Sequence, residues 1–179
     1  MTAEAQRAFV AVGSNLAPRR NIPDALERLR RRATVTRSST FYRTEPVGPP
    51  DQPEFVNGVW ELSGAGAPRD LKRQLRAVEA ACGRVRTAER YAPRPIDLDL
   101  VLFGDRVADE PDLKLPHPDL WRAFVGACVL ELAPDLRVPG AGRALRDMLA
   151  ERHGRGVAEL TPRRVDEPVG AAVRRMLSG

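Results

Sequence analysis

The stretch that most limits what this chain can become is Arg90-Tyr91-Ala92-Pro93-Arg94-Pro95-Ile96-Asp97-Leu98-Asp99-Leu100-Val101-Leu102-Phe103. From Ile96 on it alternates. Ile96, Leu98, Leu100 and Leu102 are expected to point one way, and Asp97, Asp99, Val101 and Phe103 the other. A period of two over this length reads as a strand with one face in a core. Asp97 and Asp99 then share the opposite face, with Cα atoms ~6.6 Å apart at the usual strand rise. Two bare carboxylates at that distance repel by ~2.5 kcal/mol at an effective dielectric of ~20. A cation between them reverses the sign. Acid-apolar-acid on a strand is therefore a candidate clamp for a hard cation, which takes oxygen ligands.

The approach to this strand is basic and stiff. Pro93 and Pro95 flank Arg94, and each proline restricts both itself and the residue before it. Arg84, Arg86 and Arg90 lie upstream. Arginines facing a metal-binding acid pair fit a polyanionic substrate whose oxygens are shared between metal and guanidinium. The plainer reading is an edge strand with its polar residues in water and a basic loop beside it.

With 179 residues, 42% hydrophobic and 30% charged, the chain has the makings of one soluble domain. Net charge is +5, and Lys72 and Lys114 are the only lysines among 29 basic residues. An arginine excess suits phosphate recognition and leaves nucleic-acid binding open on composition alone. The two cysteines, Cys82 and Cys128, match no metal spacing and no disulfide framework. Met1 to Arg7 lacks an apolar signal core, and no apolar run reaches the ~18 residues of a membrane span. The expectation is a cytoplasmic monomer without a membrane partner.

Ala8 to Gly13 reads as a buried first strand, ended by Gly-Ser-Asn. Asn21 and Pro23 mark the start of an amphipathic helix over 22–32. Ala33 to Tyr42 reads as one strand. Thr44 to Pro53 is a proline-rich loop, and Glu54 to Leu62 alternates again, with Phe55, Asn57 and Val59 on one face. Phe55 beside Asn57 offers a ring to stack on a flat heterocycle and an amide to pair with its edge, or simply a buried Phe and a solvated Asn. A second helix runs from Pro68 to Cys82. Leu115-Pro116-His117-Pro118 presents one of only two histidines, Asp119 is expected to cap a helix reaching Leu132, and Leu145, Met148 and Leu149 mark one more helix. Residues 1–154 are read as a single catalytic domain and 155–179 as a loosely packed or partly disordered tail.

Strand, helix, strand, strand, helix, strand is the order of an α+β, ferredoxin-like βαββαβ sandwich. Its antiparallel sheet carries helices on one face, with C-terminal helical additions. Asp97, Asp99, Phe55 and Asn57 are expected on the helix-free face.

Four blocks resemble the 6-hydroxymethyl-7,8-dihydropterin pyrophosphokinase family. They are Val10-Ala11-Val12-Gly13-Ser14-Asn15-Leu16; Phe41 to Pro46 with Gly48 and Asp51 to Asn57; Gly83-Arg84-Val85-Arg86 through Arg90 and Pro93-Arg94 to Asp99; and Leu115 to Pro118 with Ala123-Phe124-Val125. The resemblance implies transfer of the β,γ-diphosphate of ATP to the hydroxymethyl oxygen of 6-hydroxymethyl-7,8-dihydropterin, releasing AMP. It implies two Mg²⁺ ions on Asp97 and Asp99, and Arg84 and Arg94 as the catalytic arginines. His117, Arg86, Arg90, Lys114 and Arg122 would contact ATP, with Glu79 and Leu100 near its nucleoside end. Phe55 and Phe124 would sandwich the pterin, Asn57 would pair with its edge, and the backbone around Thr44 and Val47 would complete the pocket. Tyr91 stands where this family commonly has a Trp, and the segment between His117 and Phe124 is one residue short.

Two other readings compete. An RNA-binding module of this fold class needs base-stacking aromatics on its sheet face, which are missing, so nucleic acid is not expected as a partner. A non-catalytic ligand-binding domain would bind the same small molecules without releasing AMP.

Overall fold

The structure, a computed structural model, describes residues 6–64 and 66–179. Residues 1–5, on which most of the expectation about a signal core falls, lie outside the described residues. The apolar run near the amino terminus forms β1 (Arg7–Ser14), which is central because it can be buried on both faces. It pairs antiparallel with β4 (Phe55–Ser63) on one side and β5 (Asp97–Phe103) on the other. β2 (Thr34–Ser38) and β3 (Tyr42–Thr44) both pair antiparallel with β4, so the order is β2-β4-β1-β5, with β3 following β2 along the same edge of β4. The single strand expected over 33–42 is thus two pieces. Ser39 separates them: its N–H donates to Val59 O at 2.9 Å, and its hydroxyl accepts from Val59 N at 2.8 Å.

One face of the sheet is covered by α1 (Pro18–Arg30) and α2 (Pro68–Ala81). Ile22, Leu26 and Leu29 of α1 and Leu71, Leu75 and Val78 of α2 share a core with Val10, Val12, Trp60, Leu62, Leu98 and Leu100. Each such buried side chain stabilises the fold by roughly 1.5–3 kcal/mol relative to exposure. α1 begins four residues before the expected start. Ala17 takes a left-handed conformation (φ 44°) and Pro18 opens the helix, so Pro23 lies inside it. Asn21 is not the cap; its amide donates to Leu16 O at 2.6 Å.

The alternation in β5 holds only as far as Val101. Phe9 pairs with Leu102 and Val10 with Leu100, which leaves Val101 as the extra residue of a β-bulge. Leu102 therefore joins Val101 on the outer face, and Phe103 turns into the helix-side core, the reverse of the expected order.

The second face is not free of helices. α3 (Ala123–Leu132), α4 (Leu145–His153) and α5 (Val157–Leu160) cover half of it. There Phe9, Val59, Val101 and Leu102 cluster with Val125, Cys128, Val129 and Leu149. Asp119 does not start this helix; it sits in a 3₁₀ turn, Pro118–Trp121, whose Leu120 is buried, and α3 begins after Arg122. A short hairpin of β6 (Ala108–Glu110) and β7 (Leu113–Leu115), not expected from the sequence, follows β5.

The 155–179 segment is not a loose tail. α6 (Glu167–Ser178) places Val169 and Val173, at helical spacing, fully in the first core, with Met176 packed beside them. Three apolar residues at i, i+4 and i+7 among arginines were enough to bury one stripe of the helix. No described helix is long and apolar enough to cross a membrane.

Candidate active site

Asp97 and Asp99 emerge together on the uncovered half of the second face, at the start of β5. Beside them Gly13 of β1 and Asn57 of β4 are direct partners across the ladder, and Asp97 also pairs with Gly13. A Cβ at Gly13 would stand 2.6 Å from Asn57 Oδ1, so only glycine leaves the amide its place. The floor is continuous with a cavity of about 500 Å³.

Thr44, Val47, Phe55, Asn57, Arg84, Arg86, Arg90, Arg94, Asp97, Asp99, His117, Arg122 and Phe124 all line that cavity. These are thirteen of the positions singled out in the sequence. Three are placed elsewhere. Leu100 is buried in the helix-side core. Lys114 is on β7 and pairs with Asp109 across the hairpin at 2.5 Å. Glu79 is buried beneath the site and acts on its arginines: it accepts from Leu98 N at 2.8 Å, from Arg86 at 2.7 Å, and from Arg84. Burial, first of all, raises its pKa, while the Leu98 amide and Arg84 oppose that shift.

The two aspartates live in different surroundings. Asp97 accepts from Arg84 at 2.5 Å and from Arg94 at 3.0 Å. Among the described residues Asp99 has no such partner, and its pKa is raised to about 7, first by burial and then by the charges of Asp97, Asp119 and Glu79. A concentration of oxygen donors with unbalanced negative charge fits a hard divalent cation. Among the described residues no group of three or more His, Cys, Asp or Glu side chains could hold a metal alone. A cation here would draw its remaining ligands from water and from a substrate with its own oxygens.

Burial lowers the pKa of His117, which keeps its ring neutral. Its Nδ1 accepts from Asp119 N at 3.2 Å, so the proton sits on Nε2 as a donor. The rings of Phe55 and Phe124 are each faced by a guanidinium, Arg94 at 5.9 Å and Arg122 at 4.7 Å. Asn57 donates to the Thr44 hydroxyl at 2.6 Å, which fixes the amide's orientation.

Several residues of the site were not singled out. Asn15, at the end of β1, holds both loops: its Oδ1 accepts from Arg94 N at 2.8 Å, and its amide donates to Pro53 O at 3.4 Å. Gln52 donates to Tyr91 O at 2.6 Å. Glu45, Tyr91 and Asp119 line the cavity. The Gly-Ser-Asn that ends the first strand was the available signal for Asn15.

Residues 9–134 match the family described as 7,8-dihydro-6-hydroxymethylpterin-pyrophosphokinase. The chain belongs to that family. The 2-amino-4-hydroxy-6-hydroxymethyldihydropteridine pyrophosphokinase of Pseudomonas aeruginosa is 48% identical over 160 residues, covering 87% of this chain and 97% of that protein. The protein of the same name from Haemophilus influenzae is 35% identical over 138 residues, 75% of this chain and 86% of that one. The fold is similar to that of a Plasmodium falciparum HPPK-DHPS triple mutant crystallised with pteroate, at a TM-score of 0.63 and 11% identity. That likeness covers 88% of this chain and 44% of the larger protein, so the chain spans less than half its length and shares with it a fold. Within the pyrophosphokinase family match fall β1 from Phe9 on, β2 to β5 and every lining residue of the cavity.

Proposed function

We propose that this protein transfers the β,γ-diphosphate of ATP to the hydroxymethyl oxygen of 6-hydroxymethyl-7,8-dihydropterin and releases AMP, as the pyrophosphokinase of folate biosynthesis. The observation that carries this reading is the juxtaposition in one cavity of an acid pair, a bank of arginines and two aromatic rings beside an oriented amide. Polyanion and flat heterocycle are thus served side by side.

The pterin lies between Phe55 and Phe124, and its edge pairs with the Asn57 amide, which Thr44 orients. Stacking there takes the place of the Arg94 and Arg122 guanidiniums. When bound, two Mg²⁺ ions on Asp97 and Asp99 supply charge neutralisation and alignment to the triphosphate. Arg84, Arg86, Arg90 and Arg94 bind phosphate oxygens, and His117 donates from Nε2 to the nucleotide. The pterin oxygen bonds to the β-phosphorus, the bond from that phosphorus to the α-bridging oxygen breaks, and its electron pair leaves on AMP while the hydroxyl proton is released. Arg84 and Arg94 offset the charge that redistributes over the phosphoryl oxygens. The loops over 44–53 and 84–95, stiffened by proline, exclude water as a competing acceptor.

Every residue assigned to the cavity comes from one chain, so the proposed reaction needs no second copy. Cys82 and Cys128 are free thiols, which supports a reducing, cytoplasmic setting. AMP formation from ATP that requires both Mg²⁺ and the pterin alcohol is the expected result. AMP formation indifferent to the pterin, or none with all three present, overturns the reading.

A further inference from the structure

The pterin side of the cavity ends in the loop from Thr44 to Glu54, and both ends of that loop are held by a segment far away in the chain. β3 is an edge strand, with β4 as its only ladder partner among the named strands. Residues 164–166 lie along its free edge. Arg43 N donates to Arg164 O at 2.7 Å, Asp166 N donates to Phe41 O at 2.8 Å, and Tyr42 and Val165 form an antiparallel bridge. Side chains tighten the same contact. Asp166, 1% exposed, faces Arg43 with Oδ2 2.8 Å from Nη2. Arg43 in turn reaches Glu54 at 4.0 Å, and Arg164 pairs with the same Glu54. Arg43 stands immediately before Thr44, and Glu54 immediately before Phe55.

We infer that Asp166 is a positioning residue for the pterin pocket, acting through Arg43 and Glu54 to set the spacing of Thr44 and Phe55. Three observations converge. The clamp is anchored, because Asp166 also caps α6, its Oδ1 accepting from Val169 N at 3.1 Å, and α6 is fixed by buried Val169 and Val173. Its charge is buried and directed at one guanidinium, so removing it leaves Arg43 without its strongest partner. Finally, Arg43 pairs with Val56 in the β3–β4 ladder and Thr44 with Phe55, so a shift of Arg43 along the strand moves the residues that face the pterin. The segment lies beyond residue 134, where the family match ends, so this support for the pocket comes from outside the matched region.

The inference rests on the pterin reading above, and its test separates the two. Asp166→Asn keeps a good helix cap and removes the charge. With a non-hydrolysable ATP analogue present, its pterin Kd is expected to rise about tenfold, as one close, part-buried ion pair is lost. Nucleotide Kd and melting temperature should stay near those of the unaltered protein. Amide exchange at residues 45–52 should quicken in the ligand-free variant, a readout independent of any pterin. Arg43→Gln should give the same phenotype, and the double variant no more than either single one. Unchanged pterin affinity and exchange in Asp166→Asn, or additive effects of the two substitutions, overturn the inference. An Asp166→Ala variant that is weakened only in melting temperature reduces Asp166 to a helix cap, and overturns it as well. If the unaltered protein binds no pterin, the exchange result still decides the clamp, while the pterin reading fails on its own.

Discussion

Phe9 and Gly13 lie four residues apart on one face of β1, and they meet opposite surroundings. Phe9 is sealed under the α3–α5 layer with Val125, Val129 and Leu149. Gly13 opens onto a charged cavity. The same contrast runs across the sheet: Val59 against Asn57 on β4, and Val101 against Asp97 and Asp99 on β5. One half of this face serves stability and the other serves chemistry. Polar groups survive on the open half because solvent, arginines and, in the proposed complex, substrate oxygens compensate them. On the covered half apolar side chains close the gap, and the buried carboxylate of Glu61, partner of Phe9 across the ladder, is held by Arg7 and Arg37.

Substitutions should divide along that line. Asp97→Ala or Asp99→Ala should lower the rate of AMP release by ~10³-fold or more while the protein still folds and melts cooperatively, since electrostatic groups at a reacting centre carry effects of that size. Near-normal turnover in either would erase the contrast. Leu149→Ala on the covered half should do the reverse, costing ~2–5 kcal/mol in denaturant unfolding with kcat of the folded protein unchanged. Arg94→Ala should slow the single-turnover step by ~10²-fold and alter pterin affinity less; a pure affinity loss would remove it from the chemistry.

Proton linkage sharpens the comparison further. Asp99 ionises near 7 in the fold instead of at 3.8. Folding therefore favours its protonated form, and the free protein loses this contribution as pH rises from about 4 through about 7. Asp99→Asn should remove that part of the pH dependence, on the order of 1–3 kcal/mol between pH 5 and 8 after allowance for solvent. Unfolding curves at the two pH values check it, and identical slopes in both proteins would deny the strain. The smallest effect is expected for Phe55→Ala, about tenfold in pterin affinity with ATP affinity unchanged. Calorimetry with each ligand separates the two, and a change for ATP alone would move the pocket.

Much of this was legible in the chain. Strict alternation put Asp97 and Asp99 on one face, the strand and helix order implied the sheet, and glycine and proline punctuation bounded both loops. Other features were not. The bulge at Val101 reverses Leu102 and Phe103, and nothing in an apolar run marks which residue will be skipped by its partner strand. Leu100 and Lys114 followed the family resemblance into the site, but strand geometry turns the first into the core and a hairpin pairing takes the second. α6 looked like a tail because its apolar residues are sparse; a stripe of Val169, Val173 and Met176 suffices once α1 and β2 offer a surface.

The order of residues alone determined the local periods, the chemical types at each position and hence the kind of ligand the protein can hold. Those depend on neighbours a few bonds apart. Which half of the sheet stays open, which arginine faces which aspartate, and the clamp of Asp166 on Arg43 were decided only by packing. The cover of Phe9 by α3–α5 and the Asp166–Arg43 contact join residues more than a hundred positions apart, and even the Arg84–Asp97 pair depends on how a loop folds back; such contacts are selected by the shared burial of whole elements rather than by any local pattern.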